Sequence, residues 1–293
     1  MELRWLQYFL AVVREENISK AADVLHVTQP TLSRQMAQLE KTLGTTLFVR
    51  GRHFELTDAG VLLKYRAEEM VGLMGKLEEE FANQLEPGGV ISIGSGGLYA
   101  MHVLPRIMAD FRKLYPKVSF NLYTNNADHI KERLEQGLLD FGLLLEPVDV
   151  AKFDYIRMAE RERWGVFLRK DHPLSRKETI WKEDLKGEPL IMSDRLFVQK
   201  ELESWFGSMY SEPDIFATYN IITHAANIVA DGIASALTIE GAVSQFGSEQ
   251  FVFRPLTPDL SMSSVFVWKK FRAGFTAAGV FLEYFKSRYV KNE

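Results

Sequence analysis

The chain has 293 residues, 46% hydrophobic and 25% charged, which gives room for two or three domains that each bury a core. A net charge of −4, from 35 Lys and Arg against 39 Asp and Glu, does not mark a nucleic-acid binder, so any cationic surface must be local. Cysteine is absent, which excludes disulfides, thiolate metal sites and thiol redox sensing.

Leu3, Leu6, Phe9, Leu10 and Val13 form an apolar stripe at helical spacing, so residues 2–15 read as a first helix. A second helix is expected to start at Ser19, whose hydroxyl suits an N-cap, with Ala21, Ala22 and Leu25 on its apolar face. Thr28 is the next N-cap candidate, and Pro30 sits in the first turn, where its missing N–H costs nothing. Leu32, Met36, Leu39 and Leu43 then make one face of a third helix, and Gly44 stops it. The opposite face carries Gln29, Thr31, Ser33, Arg34, Gln35 and Gln38. Amides, hydroxyls and one guanidinium suit base edges and phosphates in a major groove better than they suit an ordinary surface helix, where Glu and Lys dominate. Leu47 and Phe48 anchor a hairpin whose tip holds Arg50, Arg52 and His53. From residue 28 to 53, Arg34, Lys41, Arg50 and Arg52 face Glu40 alone.

Thr57 and Asp58 start a long helix, expected to reach Gln84 before Glu86-Pro87-Gly88-Gly89 ends it. About 28 residues at ~1.5 Å each span roughly 42 Å. Leu63, Ala67, Met70, Met74, Leu77 and Phe81 follow a heptad period, which favours pairing with a second copy; the alternative is a helix lying on its own domain.

The run A-A-D-V-L-H-V-T-Q-P-T-L-S-R-Q-M-A-Q-L-E-K-T-L-G-T-T-L-F-V-R, followed by L-T-D-A-G, resembles the N-terminal winged helix-turn-helix of LysR-type transcriptional regulators. The resemblance is dense over residues 1–60 and architectural beyond them. It implies an all-α winged helix-turn-helix domain at 1–60, a linker and dimerisation helix at 57–86, and a two-lobed α/β sensor at 90–293 similar to periplasmic binding proteins. Lobe I would comprise about 90–160 and 262–293, and lobe II about 161–261. It also implies operator DNA and a small-molecule effector as partners, and a homotetramer, where the sequence itself supports a dimer. RNA polymerase is a further candidate partner. A thiol-based peroxide sensor, found elsewhere in the family, is excluded by the missing cysteines.

After residue 89 the pattern does alternate between strand and helix. Strands are expected at 90–95, 118–123 and 140–145, with helices at 99–114 and 128–136, the mark of a mostly parallel sheet. A second set has strands at 163–168, 190–192, 215–219 and 233–237, and helices near 181–185, 198–209 and 224–230. A strand at 262–269 and a helix from 274 to about 289 close the chain. Crossings between lobes fall near 159–162 and 260–262. Ligands of open parallel sheets sit at the carboxyl ends of strands. The segments there give Ser95, Gly96, Ser193, Asp194, Arg195 and His224 as effector candidates by their order in the family. Gly94 to Gly97 could instead be a plain tight turn, Arg195 could pair with Asp194, and His224 could serve only the start of its helix. Family members often carry Ser or Thr pairs where this chain has Gly-Gly-Leu-Tyr and Asp-Arg-Leu-Phe, which points to a larger or more apolar effector, anionic or partly apolar.

No H-E-x-x-H, G-x-S-x-G or cysteine nucleophile occurs, and six histidines are scattered without ligand spacing. No catalytic residue, metal or cofactor is expected. Glu2 and Arg4 with no long apolar run do not form a signal peptide, and no run of about 18 apolar residues suggests a membrane span, so a cytoplasmic protein is expected. The competing reading is a solute-binding protein or α/β enzyme carrying a helical module.

Overall fold

A computed structural model describes residues 1–49, 54–82, 86–207, 213–270 and 274–289. The chain separates into two compact units, Met1–Ala82 and Asn83–Glu293.

The first unit is a small helical bundle with a hairpin. Helix α1 is Leu3–Glu15, α2 Ile18–Val24, α3 Gln29–Leu43 and α4 Asp58–Ala82. Asn17, not Ser19, caps α2: its side chain accepts from Lys20 N at 3.0 Å, and Ser19 lies inside the first turn. Thr28 does cap α3, accepting from Thr31 N, and Gly44 ends the helix at φ 68°. His26, in the turn between α2 and α3, takes φ 54°, a left-handed conformation costly for a residue with a Cβ. Leu6, Phe9, Val12, Ala21, Ala22, Leu32, Met36, Leu39 and Leu47 form the core. Phe48 and Leu56 pair across the hairpin, and the Glu40 carboxylate accepts from Leu47 N at 2.7 Å, tying the hairpin to α3.

The same core absorbs part of the expected pairing seam. Ala67 is fully buried in it, and Leu63 and Val71 pack against it. The first turns of α4 are therefore the fourth wall of this bundle, which takes Ala67 away from any partner. Met70, Leu73, Leu77 and Phe81 remain exposed on the helix. The helix is described to Ala82, so the expected end at Gln84 lies outside the described residues.

The second unit is built on one twisted sheet. Its elements are β1 (Gly89–Ser95), α5 (Leu104–Leu114), β2 (Val118–Thr124), α6 (Ala127–Gln136), β3 (Phe141–Leu145) and β4 (Phe153–Arg169). There follow β5 (Ile180–Trp181), β6 (Pro189–Ser193), α7 (Leu196–Phe206), β7 (Asp214–Tyr219), α8 (Ile222–Ala230), β8 (Ser235–Ile239), α9 (Glu240–Val243), β9 (Phe251–Thr257), β10 (Ser261–Lys269) and α10 (Ala277–Tyr289). The strand order is β2-β1-β3-β10-β4-β8-β6-β7, with β9 pairing β4 and β5.

Each half is parallel, β2-β1-β3 and β8-β6-β7, but the middle is antiparallel, so the sheet is mixed rather than mostly parallel. The reason is β4. It runs 17 residues without a break, pairing β10 over Phe153–Arg163 and then β8 and β9 over Trp164–Arg169. The expected crossing near 159–162 is thus the middle of a strand, whose first half the sequence reading missed along with β9.

Candidate functional site

Two surfaces carry chemistry. On α3, the buried face of Leu32, Met36 and Leu39 turns the opposite side outward: Gln29, Pro30, Thr31, Arg34 and Gln38 are exposed, and Ser33 and Gln35 half-buried. Thr28 Oγ1 and Thr31 Oγ1 lie 2.8 Å apart, so one hydroxyl proton is spent within the pair and the other is left to donate outward. Arg34 makes no ion pair among the described residues. Arg50, Arg52 and His53 lie outside the described residues.

In the second unit a cavity of about 700 Å³ opens between the two halves of the sheet. The starts of three helices border it, through Asn126 and Ala127 of α6, Ser193 and Arg195 before α7, and Ile222 and Thr223 of α8. Their free backbone N–H groups and dipoles favour negative charge. Ser95, Gly96, Ser193 and Arg195 line the cavity; Asp194 and His224 do not, and both are exposed. His224 lies inside the first turn of α8, one residue past the lining Thr223.

Arg195 is buried and spans the cleft. Its guanidinium donates to the carbonyls of Leu145 and Pro147, at 3.4 and 3.3 Å, and Nε lies 3.6 Å from the Asp128 carboxylate. It pairs with Asp128 across the cleft, not with its neighbour Asp194, whose field still adds weakly. Burial draws its pKa below that of a free guanidinium, and Asp128 opposes the change. Tyr219 is also on the lining; its hydroxyl donates to Leu237 O at 2.9 Å, and burial pushes the phenol well up.

Sequence reasoning missed Glu162. This fully buried carboxylate on β4 accepts from Tyr99 N at 2.9 Å and Ala100 N at 3.0 Å, fixing the 3-10 turn Tyr99–His102. Burial raises its pKa, against the pull of those two bonds. Just beside it, a Cβ on Gly241 would meet Tyr99 N at 2.1 Å, so lobe II touches this turn backbone to backbone. Nothing in the alternating charges of Glu160 to Arg163 distinguishes Glu162.

Residues 3–61 match the model of the bacterial regulatory helix-turn-helix protein, lysR family, and residues 84–289 match the LysR substrate binding domain. The chain belongs to the LysR family. As a LysR regulator it binds DNA through the first unit and is controlled by a small-molecule effector through the second, which sets aside the solute-carrier and enzyme readings. Among its LysR relatives, the Hca operon transcriptional activator HcaR of Escherichia coli (strain K12) is 30% identical over 92% of each chain. The HTH-type transcriptional regulator AlsR of Bacillus subtilis (strain 168) is 38% identical over 65% of this chain and 64% of its own. Full-length CbnR in complex with its target DNA shares the fold over the whole of both chains, with a TM-score of 0.76 at 23% identity. Among the described residues no helix is long and apolar enough to cross a membrane.

Proposed function

We propose that this regulator reads its operator with the first two turns of α3. Gln29, Pro30, Ser33 and Arg34 meet base edges, and Thr28, Thr31, Arg50, Arg52 and His53 meet phosphates or the minor groove. The observation that carries the reading is the outward face of α3, where Gln29 and Arg34 are exposed beside a core-facing Leu32 and Met36. A base-reading guanidinium must be free to fork onto a guanine edge.

The exposed half of α4 pairs two copies and so sets the spacing of two reading heads. Pairing of such dimers gives a tetramer, and the regulator works in the cytoplasm beside RNA polymerase. The cavity of the second unit takes the effector. Ser95, Gly96, Ser193 and Arg195 contact it, and binding shifts the population of lobe arrangements.

Footprinting on promoter DNA tests the operator assignment. Arg34→Ala should weaken binding by ~1–3 kcal/mol and relax base choice at one position. Unchanged affinity and unchanged site preference would reject it.

A further inference from the structure

The effector cavity is electrically one-sided. Arg195 is the only permanently charged side chain among the described residues that line it, and no Asp, Glu or Lys joins it. Much of the remaining wall is apolar, including Leu98, Met101, Leu143, Val198 and Phe246.

Arg195 is also under-bonded. Its side chain is 7% exposed, yet its bonds to the Leu145 and Pro147 carbonyls, at 3.4 and 3.3 Å, are long for N–H···O. Asp128 lies 3.6 Å from Nε, beyond hydrogen-bond reach, and its carboxylate is 58% exposed, so water weakens the attraction. Nε itself has no hydrogen-bond partner. Trp164 lines the same cavity, and its indole N–H is likewise buried without an acceptor. The two unsatisfied polar atoms on this wall are both donors, and buried donors without acceptors favour any state that supplies one.

These features select a ligand. A cationic ligand would face Arg195. A neutral apolar one would leave the cation unmet. A phosphate dianion would find a single cation already partly neutralised by Asp128. We propose that the effector is a monocarboxylic acid with an apolar body, and that Arg195 takes its carboxylate in exchange for Asp128 and the Leu145 and Pro147 carbonyls. This rests on reading the cavity as the effector site. Arg195 belongs to lobe II and everything it releases belongs to lobe I. Carboxylate capture therefore loosens a tie between lobes, which supplies the unequal affinity for two states that a population shift needs.

Calorimetric titration of the full-length protein with hexanoate, cyclohexanecarboxylate and benzoate, and with the matching primary amides, tests this. At least one acid should bind, with its amide at least about tenfold weaker. Arg195→Gln should cost about 10- to 100-fold in acid affinity, and Arg195→Lys should keep part of the preference for acid over amide. Asp128→Asn should tighten acid binding, because the competing anion is gone; an arginine that only braces the fold would not give that gain. Amides binding as well as acids, an Arg195→Gln variant with unchanged acid affinity, weaker binding in Asp128→Asn, or no acid binding at all would each overturn the assignment. A parallel mobility shift on operator DNA separates the two readings. Intact operator binding with failed acids sinks the ligand class alone, whereas wild-type protein without sequence-dependent retention sinks the regulator reading.

Discussion

Two glycines of α4 should respond to the same substitution with opposite signs. Gly72 has nothing within 4 Å of where a Cβ would sit. Gly72→Ala therefore gains only the helix preference of alanine, about 1 kcal/mol. Gly60 is buried in the first turn, where a Cβ would stand 2.2 Å from the Leu47 carbonyl oxygen and 3.0 Å from Leu56 Cδ2. That oxygen already accepts from Thr57 N at 3.0 Å, so it is held from both sides. Moving from 2.2 Å to an ordinary contact of 3.4 Å requires helix and hairpin to part by about 1.2 Å. Overpacking costs ~1–3 kcal/mol, and a clash this short with a backbone oxygen belongs in the upper part of that range, ~2–3 kcal/mol; less the ~1 kcal/mol of helix preference, about 1–2 kcal/mol of destabilisation remains. Hydrogen exchange of the α3 amides in the full-length protein reads this directly. Protection should fall about 5- to 30-fold in Gly60→Ala and rise up to about fivefold in Gly72→Ala. Equal or greater protection in Gly60→Ala would show that the hairpin yields at no cost and that the close approach of α4 to Leu47 is not structural.

Leu73→Glu with Leu77→Glu places two charges on the exposed face of α4 and should raise the dimer dissociation constant by about 100-fold or more, as measured by analytical ultracentrifugation, with the first unit still folded; an unchanged constant would remove this face from the dimer. Arg52→Ala should weaken binding to all DNA sequences and flatten the salt slope, and a loss confined to one base position would contradict the phosphate role. Glu162 has its pKa raised above 4.5 by burial, so between 4.5 and that raised value the folded protein holds a proton that the unfolded chain releases. Stability contributed at this site is present below pH 4.5 and lost as pH rises through the folded pKa. Glu162→Gln should flatten the fall of the thermal midpoint across that window, and a steeper fall in the variant would refute the burial argument.

The helical unit was the most legible in sequence because its signals are local. Thr28, Pro30 and Gly44 bound α3 through backbone chemistry that depends on a few neighbours. The heptad on α4 was equally visible but ambiguous. Leu63 and Ala67 fit a seam between copies and a wall of the same domain equally well, and Ala67 went to the wall. In the second unit the first half of β4 sets apolar pairs, Tyr155-Ile156 and Met158-Ala159, among charges and ends in four charged residues, Glu160 to Arg163, so no period of two announces the strand that pairs with β10. Of the six effector candidates, four line the cavity because they stand at strand ends. Asp194 and His224, each one residue from a lining position, turn outward. The partner of Arg195 was not legible, since Asp128 lies 67 positions away in sequence and meets it only through the fold.

The uninterrupted β4 has a mechanical consequence. A pair of lobes joined by loose cords could swing freely, but here the cord is itself a strand, clamped by β10 up to Arg163 and by β8 and β9 from Trp164 onward. The one irregularity in the β4–β10 ladder is the register shift between Ser263 and Val265. A change in the angle between the lobes therefore falls on the main chain where one clamp ends and the next begins, at Arg163 and Trp164.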